Sequence, residues 1–254
     1  MPKLNFSKNS NQFLDYSFTS PSGKSGTETL IIYIHGFASH QRGEKVLFLQ
    51  ERFNEIGTAF LAFDHRGHGN SSGTMKGLTV TKNLEDLGQI IQFQGENFKN
   101  LVLIGSSMGG QTAAWYAANH PNQIDANLLI APAFRFLENR KRELGPQGLK
   151  SLEEKGEITI KNDWVEVTIG KELVEDAQNY PVETLLQKYQ TPTLMIHGLN
   201  DESVPISDSF SFIQASKARP SELLMIAGGD HRLTQHKDTL FLYMKTFLKK
   251  MGLI

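Results

Sequence analysis

The feature that most constrains the fold is a regular alternation of short apolar runs with segments whose apolar residues recur every three or four positions. Short apolar runs bounded by turn-forming residues are typical of strands that are buried on both faces. Such runs occur at residues 30–34, 59–63, 101–104, 128–130, 194–196 and 223–226. Alternating strands and helices predict an α/β fold with a mostly parallel central sheet and helices on both faces.

The intervening segments have helical periodicity. Residues 44–56 place Val46, Leu49 and Phe53 on one face of a helix, and Gly57 is suited to end it. Further helices are predicted at 84–91, 108–119, 206–213 and 240–251. The chain therefore contains enough helices to cover both faces of the predicted sheet.

Residues 133–180 interrupt this alternation and are too long for a plain connection. They contain a charged helical pattern at 135–155, two alternating segments on either side of Asn162 and Asp163, and a helical pattern near 171–179. We predict one α/β domain over residues 1–254, with 133–180 as an inserted cap or lid that includes a small hairpin. A surface excursion with no role at the site is the alternative.

The chain contains no cysteine, which excludes several kinds of site. Disulfide bonds, thiolate zinc sites, iron–sulfur clusters and a cysteine nucleophile all require that residue. Any covalent nucleophile must therefore be Ser, Thr, Lys, His, Tyr or a carboxylate.

Residues 105–109 read Gly-Ser-Ser-Met-Gly, a G-x-S-x-G string. The string follows a predicted strand and opens a predicted helix, which is the context in which this motif presents a nucleophilic serine. Glycines at both ends leave room for the sharp turn, and the helix N-terminus behind Ser107 adds a partial positive charge. Ser107 is the predicted nucleophile. An accidental Gly/Ser turn is the alternative.

A serine hydroxyl needs a base, and in this architecture the base follows the acid along the chain. His231 comes after the last predicted strand, at the sheet edge where ligands gather in open α/β sheets, and is the predicted base. His236 is a weaker candidate. His120 is predicted to cap a helix, and His197 to pack at the end of a strand.

The predicted acid is Asp201, which lies four residues after a strand end and before Val204 and Pro205. Its carboxylate would accept the proton on His231 Nδ1, which fixes the tautomer and stabilises the imidazolium. Glu202 and Asp208 are the alternatives, although Asp208 is predicted to lie on the following helix.

The negative charge of a tetrahedral intermediate requires two backbone donors. The N–H of Met108, directly after the nucleophile, is the first predicted donor. The second is the N–H of Phe37 in the loop after strand 30–34, where Gly36 lets the chain turn.

Residues 64–71 read Asp-His-Arg-Gly-His-Gly-Asn-Ser. A metal site is disfavoured because Arg66 lies between the two histidines and no third ligand is evident. A dinucleotide site is disfavoured because no amphipathic helix follows to bind a pyrophosphate. The favoured interpretation is a structural turn in which Asp64 and Arg66 pair.

These residues, taken together and in this order, resemble the α/β-hydrolase superfamily, and the resemblance covers nearly the whole chain. Residues 105–110, the Asp-His-Arg string at 230–232 and residues 154–156 resemble, more narrowly, the mitochondrial acyl-protein thioesterase and mycophenolic acid acyl-glucuronide esterase type. The resemblance implies hydrolysis of carboxylic esters or thioesters without a cofactor.

The leading hypothesis is therefore a serine hydrolase that forms an acyl-enzyme on Ser107 and acts on a small-molecule acyl ester or thioester. Phe37, Phe134 and Trp164 are candidate substrate contacts, and core packing is the alternative for each. A peptidase or amidase of the same fold is the second hypothesis. A receptor that retains the fold without catalysis is the third.

The charge and the N-terminal residues bear on partners and location. A net charge of −1 without a dense basic cluster argues against nucleic acid as the main partner. The apolar runs are too short to span a bilayer. Residues 1–20 have neither a continuous apolar stretch nor an arginine, so neither a secretory signal nor an organelle presequence is predicted. We predict a cytoplasmic protein with no membrane span.

Overall fold

A computed structural model describes residues 2–7, 11–20, 28–161 and 166–254. Its strands are β1 (Lys3–Asn5), β2 (Phe13–Thr19), β3 (Thr29–Ile34), β4 (Ala59–Phe63), β5 (Asn100–Ser106), β6 (Ala126–Ile130), β7 (Glu157–Lys161), β8 (Glu166–Gly170), β9 (Thr193–Gly198) and β10 (Ser221–Ile226). Within these ranges, β7 and β8 form a separate hairpin, and the other eight strands form one sheet in the order β1-β2-β4-β3-β5-β6-β9-β10.

The central sheet is mostly parallel, as predicted. Strands β3 to β6, β9 and β10 pair in parallel, whereas β2 is antiparallel to both of its neighbours. The six predicted strands are all present. β1 and β2 were not predicted, because their mixed polar sequences become strands only through pairing at the sheet edge.

Helices cover both faces of the sheet. They are α1 (Glu44–Glu55), α2 (Val80–Gln94), α3 (Met108–Asn119), α4 (Phe136–Lys155), α5 (Lys171–Ala177), α6 (Val182–Lys188), α7 (Ile206–Ala215) and α8 (Lys237–Lys250). Side chains of α1 and α8 pack on one face, with Phe53 and Phe247 buried there. Side chains of α2, α3, α6 and α7 pack on the other. The short helix α6 was not predicted, and the remaining predicted helices are present.

The inserted segment has its own small apolar cluster. Helix α4 is broken at Gly145, whose φ of +62° is a conformation that glycine adopts without a steric penalty. The predicted hairpin is present as the antiparallel pair of β7 and β8, while its turn lies outside the described residues. The cluster contains Leu78, Met108, Ala133, Phe136, Ile160, Ile169, Leu173 and Val204. The segment therefore packs against Met108 at the start of α3, and its role as a cap stays a prediction.

Among the helices of the described residues, we find none that combines the length and the apolar character needed to cross a membrane.

Candidate active site

Ser107 lies on a sharp turn between β5 and α3. Its φ and ψ are +55° and −116°, a region that side-chain-bearing residues rarely adopt. A Cβ on Gly105 would lie 2.5 Å from the Gly109 carbonyl oxygen, and one on Gly109 would lie 2.2 Å from the Ile34 oxygen. The turn thus requires glycine at both positions, for the steric reason that the sequence suggested.

The structure brings the predicted base to the predicted nucleophile. His231 lies in the loop after β10, and its Nε2 is 3.0 Å from Ser107 Oγ. Its Nδ1 lies 2.7 Å from Asp201 Oδ2. The three side chains therefore form a continuous chain of hydrogen bonds, in which Nδ1 donates to the carboxylate and Nε2 is free to accept from the serine.

The Asp201 carboxylate is fully buried and accepts four hydrogen bonds. The N–H groups of Ser203 and Val204 donate to Oδ1, each at 2.9 Å, while His231 and His197 donate to Oδ2. Burial by itself would raise the pKa of Asp201, but the donors outweigh it, beginning with His197 and His231, and hold that pKa well below its usual range. The carboxylate is thus kept ionised.

His197 has a larger role than the packing position predicted for it. The ring is fully buried, and Nε2 lies 3.0 Å from Asp201 Oδ2 and 3.1 Å from the Val204 carbonyl oxygen. Ser209 Oγ lies 2.8 Å from Nδ1, so its hydroxyl can fix the tautomer that donates through Nε2. The spacing of four residues between His197 and Asp201 was the only sequence signal for this contact.

The other candidates for base and acid lie elsewhere. His120 caps α3 through a 2.9 Å contact of Nδ1 with the Tyr116 carbonyl, as predicted. His236 ends a short 3-10 turn before α8, and Asp208 lies in the first turn of α7, 3.9 Å from Arg135. Among the described residues, Ser107 Oγ has His231 as its only histidine partner.

The two predicted oxyanion donors flank Ser107. Met108 is the first residue of α3, so its N–H has no partner within the helix. Gly36 lies so close that a Cβ there would be 3.1 Å from Ser107 Cβ and 3.8 Å from Oγ. Within the described ranges, neither the Met108 N–H nor the Phe37 N–H donates to another protein group. Both remain available to an oxygen bound above Ser107.

A cluster of three buried histidines supports the loop that carries Phe37. His35 Nε2 accepts the His65 N–H at 3.1 Å, and His68 Nε2 accepts the Ala38 N–H at 3.2 Å. Burial and the neighbouring histidines lower the pKa of His35 well below its usual value and that of His68 to about 3. These ring nitrogens are therefore occupied as hydrogen-bond acceptors. The described residues contain no group of three or more His, Asp or Glu arranged to hold a metal ion.

The predicted pairing of Asp64 with Arg66 is wrong. Asp64 instead accepts the N–H groups of Gln41, at 2.7 Å, and Asn70, at 3.1 Å. Arg66 turns the other way and binds the buried carboxylate of Asp86 through Nε at 2.5 Å. Both residues do brace loops, but a carboxylate that lies 20 positions further along the chain was not visible as a partner in the local string.

The three candidate substrate contacts differ in their position relative to the site. Phe37 is half-buried, and its ring centroid lies 6.1 Å from that of Phe136 on α4, beside the site. Phe134 is 1% exposed, and its ring stacks on Phe212 with centroids 3.8 Å apart. Core packing, the alternative, thus accounts for the position of Phe134. Trp164 lies outside the described residues.

Comparisons with known proteins show similarity to hydrolases. A family model described as Hydrolase_4: Serine aminopeptidase, S33, matches residues 26–157, just over half of the chain. The chain is also similar to the Mus musculus protein "Palmitoyl-protein thioesterase ABHD10, mitochondrial". The two are 28% identical over 211 residues, which cover 82% of this chain and 70% of that protein.

Solved structures give the same result. The alpha/beta hydrolase domain-containing protein 10 from mouse superposes with a TM-score of 0.85 at 25% identity, covering 99% of this chain and 100% of that one. Est1E from Butyrivibrio proteoclasticus, with ferulic acid bound, superposes with a TM-score of 0.80 at 26% identity, covering 94% and 96%. The predicted α/β-hydrolase fold and the resemblance to mitochondrial acyl-protein thioesterases are confirmed.

Proposed function

This chain belongs to the Hydrolase_4 family, described as serine aminopeptidase, S33, and on that basis we propose that it cleaves carboxylic esters or thioesters through an acyl-enzyme on Ser107. Membership of this family makes it an enzyme of the hydrolase class. The observation that carries the proposal is the continuous hydrogen-bond chain from Ser107 Oγ through His231 to the buried Asp201 carboxylate.

In the first half-reaction, Ser107 Oγ attacks the acyl carbonyl while His231 Nε2 takes its proton. The N–H groups of Phe37 and Met108 bind the carbonyl oxygen as it becomes negative. Collapse of the tetrahedral intermediate breaks the bond to the leaving group, and His231 gives its proton to the departing alcohol or thiol. The ionised Asp201 stabilises the imidazolium throughout.

In the second half-reaction, water attacks the acyl-enzyme. His231 Nε2 accepts a proton from this water, and the same two N–H groups bind the second oxyanion. When the intermediate collapses, the bond to Ser107 Oγ breaks, His231 returns the proton to the serine, and the carboxylic acid leaves. This sequence consumes one water and uses no cofactor.

The similarity to a protein named palmitoyl-protein thioesterase and to a structure with bound ferulic acid supports an acyl substrate. Esters and thioesters pass through the same kind of tetrahedral intermediate, so the triad accepts either. The name of the matching family, serine aminopeptidase, favours amide cleavage as the second candidate. Turnover of one acyl group on matched alcohol, thiol and amine leaving groups separates the three.

We also propose that residues 133–180 act as a cap on this site. The segment packs against Met108, one of the two proposed oxyanion donors, and Phe136 on α4 lies beside Phe37, the other. A cap in this position would contact the acyl group or the leaving group. The cytoplasmic location stays a prediction, since the name of the curated relative includes the word mitochondrial.

Substitution of the nucleophile tests the proposal. Ser107→Ala should reduce kcat for a p-nitrophenyl ester by at least about 10⁴-fold, because the acyl-enzyme cannot form. The matched control is Ser39→Ala, at an exposed serine in the loop after β3, which should retain kcat near the wild-type level. Activity of Ser107→Ala at the wild-type level would exclude Ser107 as the nucleophile.

A fluorophosphonate probe separates catalysis from mere binding. Folded wild-type protein should be labelled at Ser107 with a stoichiometry near one, and Ser107→Ala should not be labelled. If the folded wild-type chain does not react with the probe, the third hypothesis, a receptor without catalysis, replaces the hydrolase.

A further inference from the structure

A buried lysine joins the segments that carry Ser107 and His231. Lys45 is the second residue of α1, and only 8% of it is exposed. Its Nζ donates to the Arg232 carbonyl oxygen at 2.7 Å and to Ser106 Oγ at 3.3 Å. Ser106 directly precedes the proposed nucleophile, and Arg232 directly follows the proposed base. One side chain therefore spans both segments.

Packing alone does not explain a lysine at this buried position. Burial of an ammonium group costs free energy, and an apolar side chain of the same length would avoid that cost. Burial lowers the pKa of Lys45 to about 8, against the opposing effect of the Asp230 carboxylate. Among the described residues, no carboxylate oxygen lies within 4.0 Å of its Nζ. The charge is thus satisfied by a backbone carbonyl and a hydroxyl.

The loop that carries His231 is held mainly by polar contacts until Leu233, which is buried in the core two residues after the histidine. Residues 227, 228, 230 and 232 are exposed, so this stretch has little apolar contact with the core. The Gly229 carbonyl accepts the Asn200 N–H at 2.9 Å, and Asp230 bonds only three residues ahead, to the Leu233 N–H. The Gly229 contact lies before His231 in the chain, and the contact from Lys45 to Arg232 lies directly after it. The two contacts therefore hold the loop on both sides of the histidine.

We propose that Lys45 is a positioning residue that holds the His231 loop against the Ser107 turn, so that His231 Nε2 stays within hydrogen-bond reach of Ser107 Oγ. The inference rests on the proposed function. Proton transfer depends steeply on this distance, and a displacement of about 1 Å can lower the rate by about 100-fold. Lys45 does not contact the substrate in this scheme, and its effect passes through His231.

Replacement of the ammonium by a side chain of similar length tests the role. Lys45→Met should reduce kcat for a p-nitrophenyl ester by about 10- to 100-fold, with KM changed by less than about threefold, because only the chemical step depends on the alignment. The thermal midpoint should stay within a few degrees of wild type, because the substitution also removes a buried charge. A loss of kcat in proportion to a loss of folded protein would indicate a structural role and overturn the proposal.

The absence of cysteine from the chain allows a rescue experiment. In Lys45→Cys the introduced thiol is unique. Alkylation in denaturant with 2-bromoethylamine, followed by refolding, restores an ammonium at nearly the length of lysine. Alkylation with 1-bromopropane gives a side chain of similar size without a donor. The wild-type chain is taken through both treatments, which corrects for refolding and for reaction at other side chains.

The aminoethylated protein should recover kcat to within about threefold of treated wild type, and the propylated protein should remain at the level of Lys45→Met. Equal kcat in the two alkylated proteins, or refolding of the aminoethylated form alone, would overturn the proposal. Comparison with Ser107→Ala distinguishes a failure of the proposed function from a failure of the role proposed for Lys45. If that variant is inactive and Lys45→Met is fully active, the proposed function stands and the role of Lys45 fails.

Discussion

The loops at the carboxyl ends of β5, β9 and β10 and the inserted segment from α4 to α5 meet at the same site but are built differently. The loop after β9 places Asp201 at zero side-chain exposure, where it is hydrogen-bonded to the equally buried His197 near the end of that strand. The inserted segment has exposed ion pairs, such as Lys161 with Glu166, and it is held by a small apolar cluster.

This difference indicates a division of roles. Buried hydrogen bonds define positions within a few tenths of an ångström, which proton transfer requires, and each unpaired group would be costly. Apolar contacts are less directional and tolerate exchange of one side chain for another of similar volume. The first region is therefore suited to the chemistry, and the second to the choice of substrate.

The largest expected effect lies in the polar region. Asp201→Asn should lower kcat by about 10³- to 10⁴-fold, because the amide can donate to the histidine and favours the wrong tautomer. KM should change little. The matched control is Asp208→Asn on α7, the alternative acid, which should retain kcat within about threefold. Steady-state kinetics with a p-nitrophenyl ester measures both. A similar loss in the two variants would contradict the assignment of Asp201.

The next prediction compares the stability of the inserted segment with the stability of the central sheet. Ile169 in the apolar cluster and Leu103 in β5 are both fully buried, so replacement of either by alanine should cost about 2–5 kcal/mol of local stability. We expect Leu103→Ala to lower the global thermal midpoint. Ile169→Ala should instead reduce mainly the hydrogen-exchange protection of β7 and β8, because the segment can open while the sheet stays folded.

Measurements of ester turnover test whether the inserted segment also affects the choice of substrate. Ile169→Ala should retain turnover of an acetyl ester while altering turnover of longer acyl esters, if the segment contacts the acyl group. Ile158→Ala, in the same hairpin at a partly exposed position, is the matched control. Equal shifts of the global midpoint in Ile169→Ala and Leu103→Ala would show that the inserted segment and the sheet unfold as one unit.

The last prediction is a pH dependence of stability that originates in the buried histidines beside the loop that carries Phe37. The folded chain keeps His35 and His68 neutral, because burial depresses their pKa values, to about 3 for His68. The unfolded chain binds protons at these rings below pH about 6.5. Their contribution to stability is thus complete above that pH and is lost as the pH falls. The slope approaches about 1.4 kcal/mol per pH unit for each ring.

Denaturant unfolding between pH 7 and pH 4 measures this slope. His68→Gln should reduce it, since the Gln side-chain oxygen can accept the Ala38 N–H without taking up a proton. His40→Gln, at an exposed ring in the loop that carries Phe37, is the control. An unchanged slope in His68→Gln would contradict the depressed pKa of His68.

Local patterns in the sequence were sufficient for much of the site. The Gly-Ser-Ser-Met-Gly string indicated the turn at Ser107 because the steric need for glycine depends only on nearby backbone. The order of strands and loops indicated Asp201 and His231, since parallel strands bring their carboxyl ends to one edge. Contacts between distant positions were not visible in this way, and the partner of Arg66 was wrongly predicted for that reason.

The sequence by itself determined the strand and helix periodicity, the α/β class and the candidate triad, because each depends on neighbouring residues or on chain order. Only the tertiary structure decided that His197 donates to Asp201, that Phe134 is a core ring and that Lys45 joins the two sides of the site. Those contacts depend on which elements pack together, and a side chain's partners across a sheet leave no fixed spacing in the sequence.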